Sequence, residues 1–170
     1  MKIVYEDLIA FLEENPSVSE LSENLFQLGH EHEIDGDIFD FEFTPNRGDC
    51  LSLLGLSRDL NIFHNSKYPF EIYEKEINEI ELDFKNLAPD LCPNIAFLEI
   101  EIDGTIDSYK DYLESYFVDL GLGKNNFFTD ISNYLSYEMG QPTHCYDKSK
   151  MGGLLTFEEV IVDEDFETVV

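Results

Sequence analysis

Apolar residues along the chain change period several times, and each change predicts an element. Ile3 and Val4 read as a short strand running into a helix from about Tyr5 to Glu13. Ser17-Val18-Ser19-Glu20 has capping-box spacing, in which a serine and a glutamate three residues on satisfy each other's backbone N–H groups. Leu21, Leu25, Phe26 and Leu28 then share a helical face, and Gly29 is a natural stop. The period falls to two at Phe39, Phe41 and Phe43, which alternate with Asp40 and Glu42 as in a half-buried strand. Asp35-Gly36 marks a turn just before it. Thr44-Pro45-Asn46-Arg47-Gly48-Asp49 is a loop by composition. Asp49 is expected to cap a helix beginning at Cys50, with Leu53, Leu56, Leu60 and Phe63 as its buried stripe.

The second half is less regular. Residues 64 to 92 are mixed: turn-like at Asn65-Ser66, then charged, with Ile77, Ile80 and Leu82 alternating. A boundary between two parts is placed there, at residues 68 and 69. Ala96 to Ile102 reads as a strand with Ala96, Leu98, Ile100 and Ile102 on one face. Tyr109, Tyr112, Leu113, Tyr116, Phe117 and Leu120 follow helical spacing, with Asp107 or Ser108 as cap and Gly121 as stop. That aromatic stripe is read as core, not as a base-stacking platform. A further helix is expected over Asp130 to Met139, ended by Gly140-Gln141-Pro142 because proline has no N–H to donate. Leu154 to Val170 is strand-like. The chain stops at Thr168-Val169-Val170 without a polar tail, which is expected of a truncated reading frame or a fragment.

Composition narrows the classes. The 170 residues carry 10 Lys+Arg against 37 Asp+Glu, a net charge of −27, yet 43% are hydrophobic and 14% aromatic. That apolar share suits a folded domain rather than an acidic tail. The charge opposes independent nucleic-acid binding, which draws its affinity from cations on phosphates, and opposes anionic membranes likewise. No DNA and no membrane partner is expected. No apolar run approaches the roughly 20 residues that span a bilayer. The acidic start, Met1-Lys2-Ile3-Val4-Tyr5-Glu6-Asp7, is unlike a secretory signal, so a cytoplasmic protein is expected.

Cys50, Cys92 and Cys145 are too few and too scattered for a disulfide framework. His30 and His32 could face the same way on a strand, but two ligands do not make a structural zinc site, and no metal site is expected. His144 beside Cys145 is poor grounds for a thiol hydrolase, since strand neighbours point to opposite faces. Arg47 is read as structural, its fork suited to loop carbonyls or a carboxylate.

Several runs, in order, resemble the beta subunit of bacterial phenylalanine–tRNA ligase. Ile38 to Ser52 is similar to its strand followed by Thr-Pro-Asn-Arg-x-Asp-Cys-Leu, with Pro45, Asn46, Arg47 and Asp49 in place. Leu54 to Leu60 fits the helix after it, and Cys92-Pro93 resembles the opening of the family's editing domain. Asp130-Ile131-Ser132-Asn133-Tyr134-Leu135, then Glu138-Met139-Gly140-Gln141-Pro142-Thr143-His144, resembles Asp-Ile-Thr-Asn-Tyr-Val … Glu-x-Gly-Gln-Pro-x-His. There are departures. Only about Glu31 to Asp37 lies where the family carries an oligonucleotide-binding-barrel module for tRNA. The family's Gly-Ile-Arg-Pro-x-Asn-Asn run has become Gly121 to Phe127, with Gly123 for the arginine and Phe127 for the second asparagine. Ser132 replaces threonine. The later editing-pocket glutamate, the acidic magnesium-binding module, the catalytic-like module and the anticodon-binding module have no counterpart.

The resemblance implies an α+β protein: a small winged-helix-like N-terminal domain over residues 1–68, then the first half of the α+β editing domain over 69–170. It implies a part of an aminoacyl-tRNA synthetase that assembles with the alpha subunit as a heterotetramer and meets phenylalanine tRNA through that complex. ATP and magnesium would serve the full complex, with neither bound by this piece and no residue of it catalysing aminoacylation. Ser132, Asn133 and His144 would line a pocket that hydrolyses mischarged tyrosyl-tRNA. The rivals are a free-standing, non-catalytic interaction module derived from that subunit, an independent hydrolase, and a nucleic-acid-binding regulator. The incomplete pocket opposes the second, and the lack of a basic recognition face opposes the third.

Overall fold

The computed structural model describes residues 1–67, 76 and 79–160. Helices and short strands are mixed, in keeping with the α+β class. The described residues fall into two compact units: residues 1–67 with Ile106–Cys145, and residues 76, 79–105 and 146–160. The packing is therefore discontinuous in sequence, whereas the sequence pattern places one cut near residue 68. Ile77 and the 161–170 part of the strand-like stretch expected over Leu154 to Val170 lie outside the described residues. No helix among the described residues is long and apolar enough to cross a membrane.

In the first unit, β1 (Lys2–Val4) leads directly into a single-turn helix α1 (Tyr5–Ile9). The expected helix to Glu13 stops early, its backbone closing into turns at Phe11 and Leu12. The capping box forms: Ser17 Oγ accepts from Glu20 N, while Ser17 N donates to the Glu20 carboxylate at 2.9 Å. It opens α2 (Val18–Gln27), which buries Leu21 and Leu25 and ends before Gly29 at φ +83°. A hairpin follows: β2 (Glu31–Asp35), a turn at Gly36 with φ +61°, and β3 (Ile38–Glu42). Strand order is β1-β3-β2, antiparallel throughout, with Ile3 opposite Phe39 and Ile34 opposite Phe39 on the other side. Phe39 and Phe41 are buried while Asp40 and Glu42 are exposed, as the period-two pattern predicts.

Helix α3 (Leu53–Phe63) starts later than expected. Gly48–Cys50 form a short 3-10 turn, and Ser52 is the cap, its hydroxyl accepting from Gly55 N at 3.0 Å. Asp49 cannot serve there because its carboxylate is engaged by arginines. Leu53, Leu56 and Leu60 enter the core, whereas Phe63 stays exposed. Helices α4 (Asp111–Asp119) and α5 (Phe127–Met139) add Leu113, Tyr116, Phe117 and Tyr137 to the same core. Neither Asp107 nor Ser108 caps α4; Lys110 holds that position without a side-chain bond. Asn126 caps α5, accepting from Phe128 N and Thr129 N, so this helix begins one turn before Asp130. Tyr137 ties α5 to the N-terminus: its hydroxyl donates to Asp7 at 2.9 Å and accepts from Val4 N at 3.2 Å. Those two bonds, added to a nearly buried ring, explain why residues 106–145 pack with residues 1–67.

The second unit holds a two-stranded parallel sheet, β4 (Phe84–Asn86) with β5 (Leu155–Phe157). The strand expected over Ala96 to Ile102 is absent: residues 92–103 carry no regular structure. Leu98 and Ile100 are each 68% exposed. The alternate positions do the packing instead, Phe97 meeting Phe84 edge to face at 4.7 Å.

Candidate functional site

Two groups of residues carry chemistry, both in the first unit. The first surrounds the loop between β3 and α3. Arg47 spreads its fork over Asp49, at 3.0 and 3.2 Å, and also pairs with Asp59 on α3. Arg58, one residue before Asp59, pairs with both Asp49 and Asp59. Burial would raise the Asp59 carboxyl, but the guanidinium groups of Arg47 and Arg58 outweigh it and hold the carboxyl below its ordinary value. Hydrogen bonds from Arg47 likewise hold Asp49 well below the carboxylate range.

Beneath these charges lie His30 and Cys50, both buried. His30 Nε2 is 3.3 Å from Asp59, and the Cys50 sulfur is 3.6 Å from the same carboxylate. His30, Cys50 and Asp59 thus bring three possible metal-ligand atoms within 4.8 Å of one another. The local cation is already supplied by Arg47, whose guanidinium nitrogen stands 2.7 Å from the Cys50 sulfur. Burial, then the Asp59 charge, pushes the Cys50 thiol up to about 12. A metal or a nucleophile would need the thiolate. Burial also lowers His30, only partly offset by Asp59. The arrangement is a lock that fastens the Pro45-Asn46-Arg47 loop and His30, the residue before β2, onto α3, with Arg47 reading carboxylates bidentately.

The second group runs from Asp130 to Cys145. Asp130 is fully buried near the start of α5. It accepts from Tyr109 Oη at 2.5 Å and from Asn125 N at 3.1 Å, drawing in the loop before the helix. The Asp130 carboxylate raises the Tyr109 phenol to about 12. Ser132 donates to Phe128 O at 2.9 Å, the local back-bond of a helical serine. Asn133 is exposed on the adjoining side of α5. The helix ends at Gly140 with φ +70°, and the chain continues through Gln141 and Pro142. His144 is exposed, and its neighbour Cys145 places its sulfur 3.7 Å from Ser132 Oγ. Of the 142–145 segment, the structure thus brings Cys145, but no other named residue, to Ser132. Thr143 Oγ1 is buried and makes no hydrogen bond among the described residues.

No protein-family model matches the chain. Individual proteins do. The chain is 32% identical over 127 residues to the phenylalanine–tRNA ligase beta subunit of Psychrobacter arcticus, covering 71% of this chain and 16% of that protein. It is 33% identical over 126 residues to that of Rickettsia bellii, covering 71% and 14%. Against that of Rhodopirellula baltica it is 30% identical over 161 residues, covering 89% and 24%. The chain is related to the phenylalanine–tRNA ligase beta subunits. It matches 14–24% of the length of these three relatives.

Relationship to the beta subunits gives both groups a context. Pro45, Asn46, Arg47 and Asp49 lie in the arginine lock, where Arg47 grips carboxylates as its fork suggests. His30 and Asp59 complete that lock; Asp59 lies in the helical run Leu54 to Leu60 that the resemblance covers, whereas His30 lies outside it. Nothing local in the sequence says that His30 reaches Asp59 across 29 residues. In the second group, Tyr109 and Tyr137 hold α5 from elements distant in sequence, and neither is marked by the motif.

Proposed function

We propose that the chain acts as part of a phenylalanine–tRNA ligase beta subunit, supplying surface for assembly with the alpha subunit and part of a pocket that removes mischarged tyrosine from tRNA. The observation that carries the reading is relatedness to these subunits, in a chain where Cys145, the residue after the Asp130–His144 run, lies 3.7 Å from Ser132. In this reading residues 1–68 are the winged-helix-like domain and 69–170 the first half of the editing domain.

The chemistry fits the residue types. Tyrosine exceeds phenylalanine by one hydroxyl, and a mainly apolar activation pocket rejects an added hydroxyl only weakly. A second pocket with polar groups makes the distinction. Ser132 keeps acceptor lone pairs after donating to Phe128 O, and Asn133 offers both a donor and an acceptor. In this reading His144 orients a water or bonds the ester carbonyl. Hydrolysis adds that water across the ester: its oxygen bonds the carbonyl carbon, the bond to the ribose oxygen breaks, one water proton goes to that ribose oxygen to form the hydroxyl, and tyrosine leaves as the carboxylate with the second proton released to solvent. ATP and magnesium belong to activation in the full complex, and no step here passes through them.

The test joins the chain to an alpha subunit and to the remainder of a related beta subunit. Assembly is expected to give a heterotetramer by native mass, and tyrosine release from mischarged phenylalanine tRNA. His144→Ala should slow that release roughly a hundredfold, the low end of what a positioned acid–base group contributes. The chain alone should release none. Failure to bind any alpha subunit would favour the second reading, a non-catalytic interaction module, which the charge of −27 and the substitutions Gly123 and Phe127 support.

A further inference from the structure

At the end of α5, Gly140 closely approaches Ser52, the cap of α3. A Cβ placed on Gly140 would lie 3.1 Å from Ser52 Oγ and 3.2 Å from Ser52 Cβ. Ser52 has little freedom to yield. It is 3% exposed, and its hydroxyl is engaged at 3.0 Å by Gly55 N as the cap of α3. Gly140 is also at φ +70°, a left-handed conformation that side chains disfavour. Two independent constraints, space and backbone, therefore meet at one residue.

We infer that the Gly140–Ser52 contact is a joint that fixes where residues 141–144 leave α5, making Gly140 and Ser52 positioning residues for His144. The joint links the two signature runs, because Ser52 closes the arginine-lock loop and Gly140 opens the Gln141-Pro142-Thr143-His144 turn. Ser52 takes its place from the lock: Arg47, Asp49 and Asp59 pin the 3-10 turn immediately before it to α3. The exit direction at Gly140 is then set by a surface that cannot recede. The relevance to hydrolysis rests on the proposed editing role, whereas the joint itself does not.

The 170-residue chain is examined by NMR through the ring signals of His144 and the amide of Thr143. Gly140→Ala should shift both signals and lower the thermal midpoint. Ser52→Gly should leave both signals near their original positions, since glycine is tolerated at a cap. The double variant Ser52→Gly with Gly140→Ala should bring the His144 and Thr143 signals back, because the obstructing Oγ and Cβ are gone. Its midpoint should stay low, because the left-handed backbone remains strained. Rescue of position without rescue of stability is the signature of a joint. Unmoved signals in Gly140→Ala, or signals that the double variant fails to restore, would overturn it. If Gly140→Ala does not fold, the Ser52→Val variant loads the joint from the other side and must shift the same two signals. Should the joint behave as stated while His144→Ala leaves tyrosine release unchanged in the assembled enzyme, the editing role fails and the joint stands.

Discussion

Residues 1–67 with 106–145, and residues 79–105 with 146–160, both carry apolar periodicity, and the chain converts it to structure unequally. Among the described residues, the first unit contains the packed hydrophobic cluster from Ile3 to Tyr137. In the second, Leu91, Leu98 and Ile100 are 67–68% exposed and the only ladder among the described residues is three residues long. The difference follows from where hydrogen bonds come from. A helix closes its own backbone bonds, so α2, α3, α4 and α5 need only a surface for their apolar stripe. A strand must find another chain segment for each N–H and C=O. β3 has partners on both sides, β1 and β2, whereas Ala96 to Ile102 has none among the described residues.

The largest effect should come from the core of the first unit. Leu56 is fully buried in α3, within the hydrophobic cluster of the first unit. Leu56→Ala removes apolar contact and leaves a cavity, at a cost of about 2–5 kcal/mol. Urea unfolding followed by far-ultraviolet circular dichroism should show the midpoint fall without a change in slope. A loss under about 1 kcal/mol would mean the site collapses freely, contrary to a close-packed core.

The arginine lock should come next, and it makes the first unit sensitive to acid. Asp59 is held below its ordinary value in the folded state, so its contribution is present above about pH 4 and is lost as pH falls through the folded value. His30 is also lowered, by burial. Between that lowered value and about 6.5 the unfolded chain binds the extra proton, so stability rises with pH through this window. Both groups act in the same direction: acidification destabilises, through His30 first and Asp59 afterwards. Asp59→Asn should cost about 1–3 kcal/mol at neutral pH, where charge-assisted bonds to Arg47 and Arg58 are lost. It should also flatten the limb below about pH 4. An unchanged low-pH limb would assign acid sensitivity to other carboxylates.

Much of this fold was legible because the deciding contacts are local. The capping box spans three residues, Gly29 and Gly121 stop their helices, and Phe39 and Phe41 alternate with charges as a half-buried strand should. Misreadings arise where several groups compete for one position, and where distant residues decide. Asp49 looks like a cap from its position, but Arg47 and Arg58 claim it and Ser52 caps α3 instead. The helix before Asp130 starts early because Asn126 offers a better cap. The candidate site shows the same limit. The motif marks Ser132, Asn133 and His144, but the return of Cys145 to Ser132 and the Gly140–Ser52 approach depend on how α5 lies against α3, which no local pattern encodes.

The smallest effect is the sharpest check on the contrast between the units. Ile100 belongs to the face that an apolar alternation assigns to the interior, yet it is 68% exposed. Ile100→Thr keeps the β-branched shape and swaps a methyl-bearing arm for a hydroxyl. At an exposed position this should change stability by no more than about 0.5 kcal/mol. Denaturation alone could miss a local change, so hydrogen exchange should accompany it. Amides of residues 96–102 should exchange with little protection in both proteins, while those of Leu56 and Leu60 should require global unfolding. A loss near 2 kcal/mol, or strong protection at 96–102, would mean that this segment pairs and buries Ile100 in solution. The two units would then differ in the availability of a partner strand rather than in the use they make of their apolar residues.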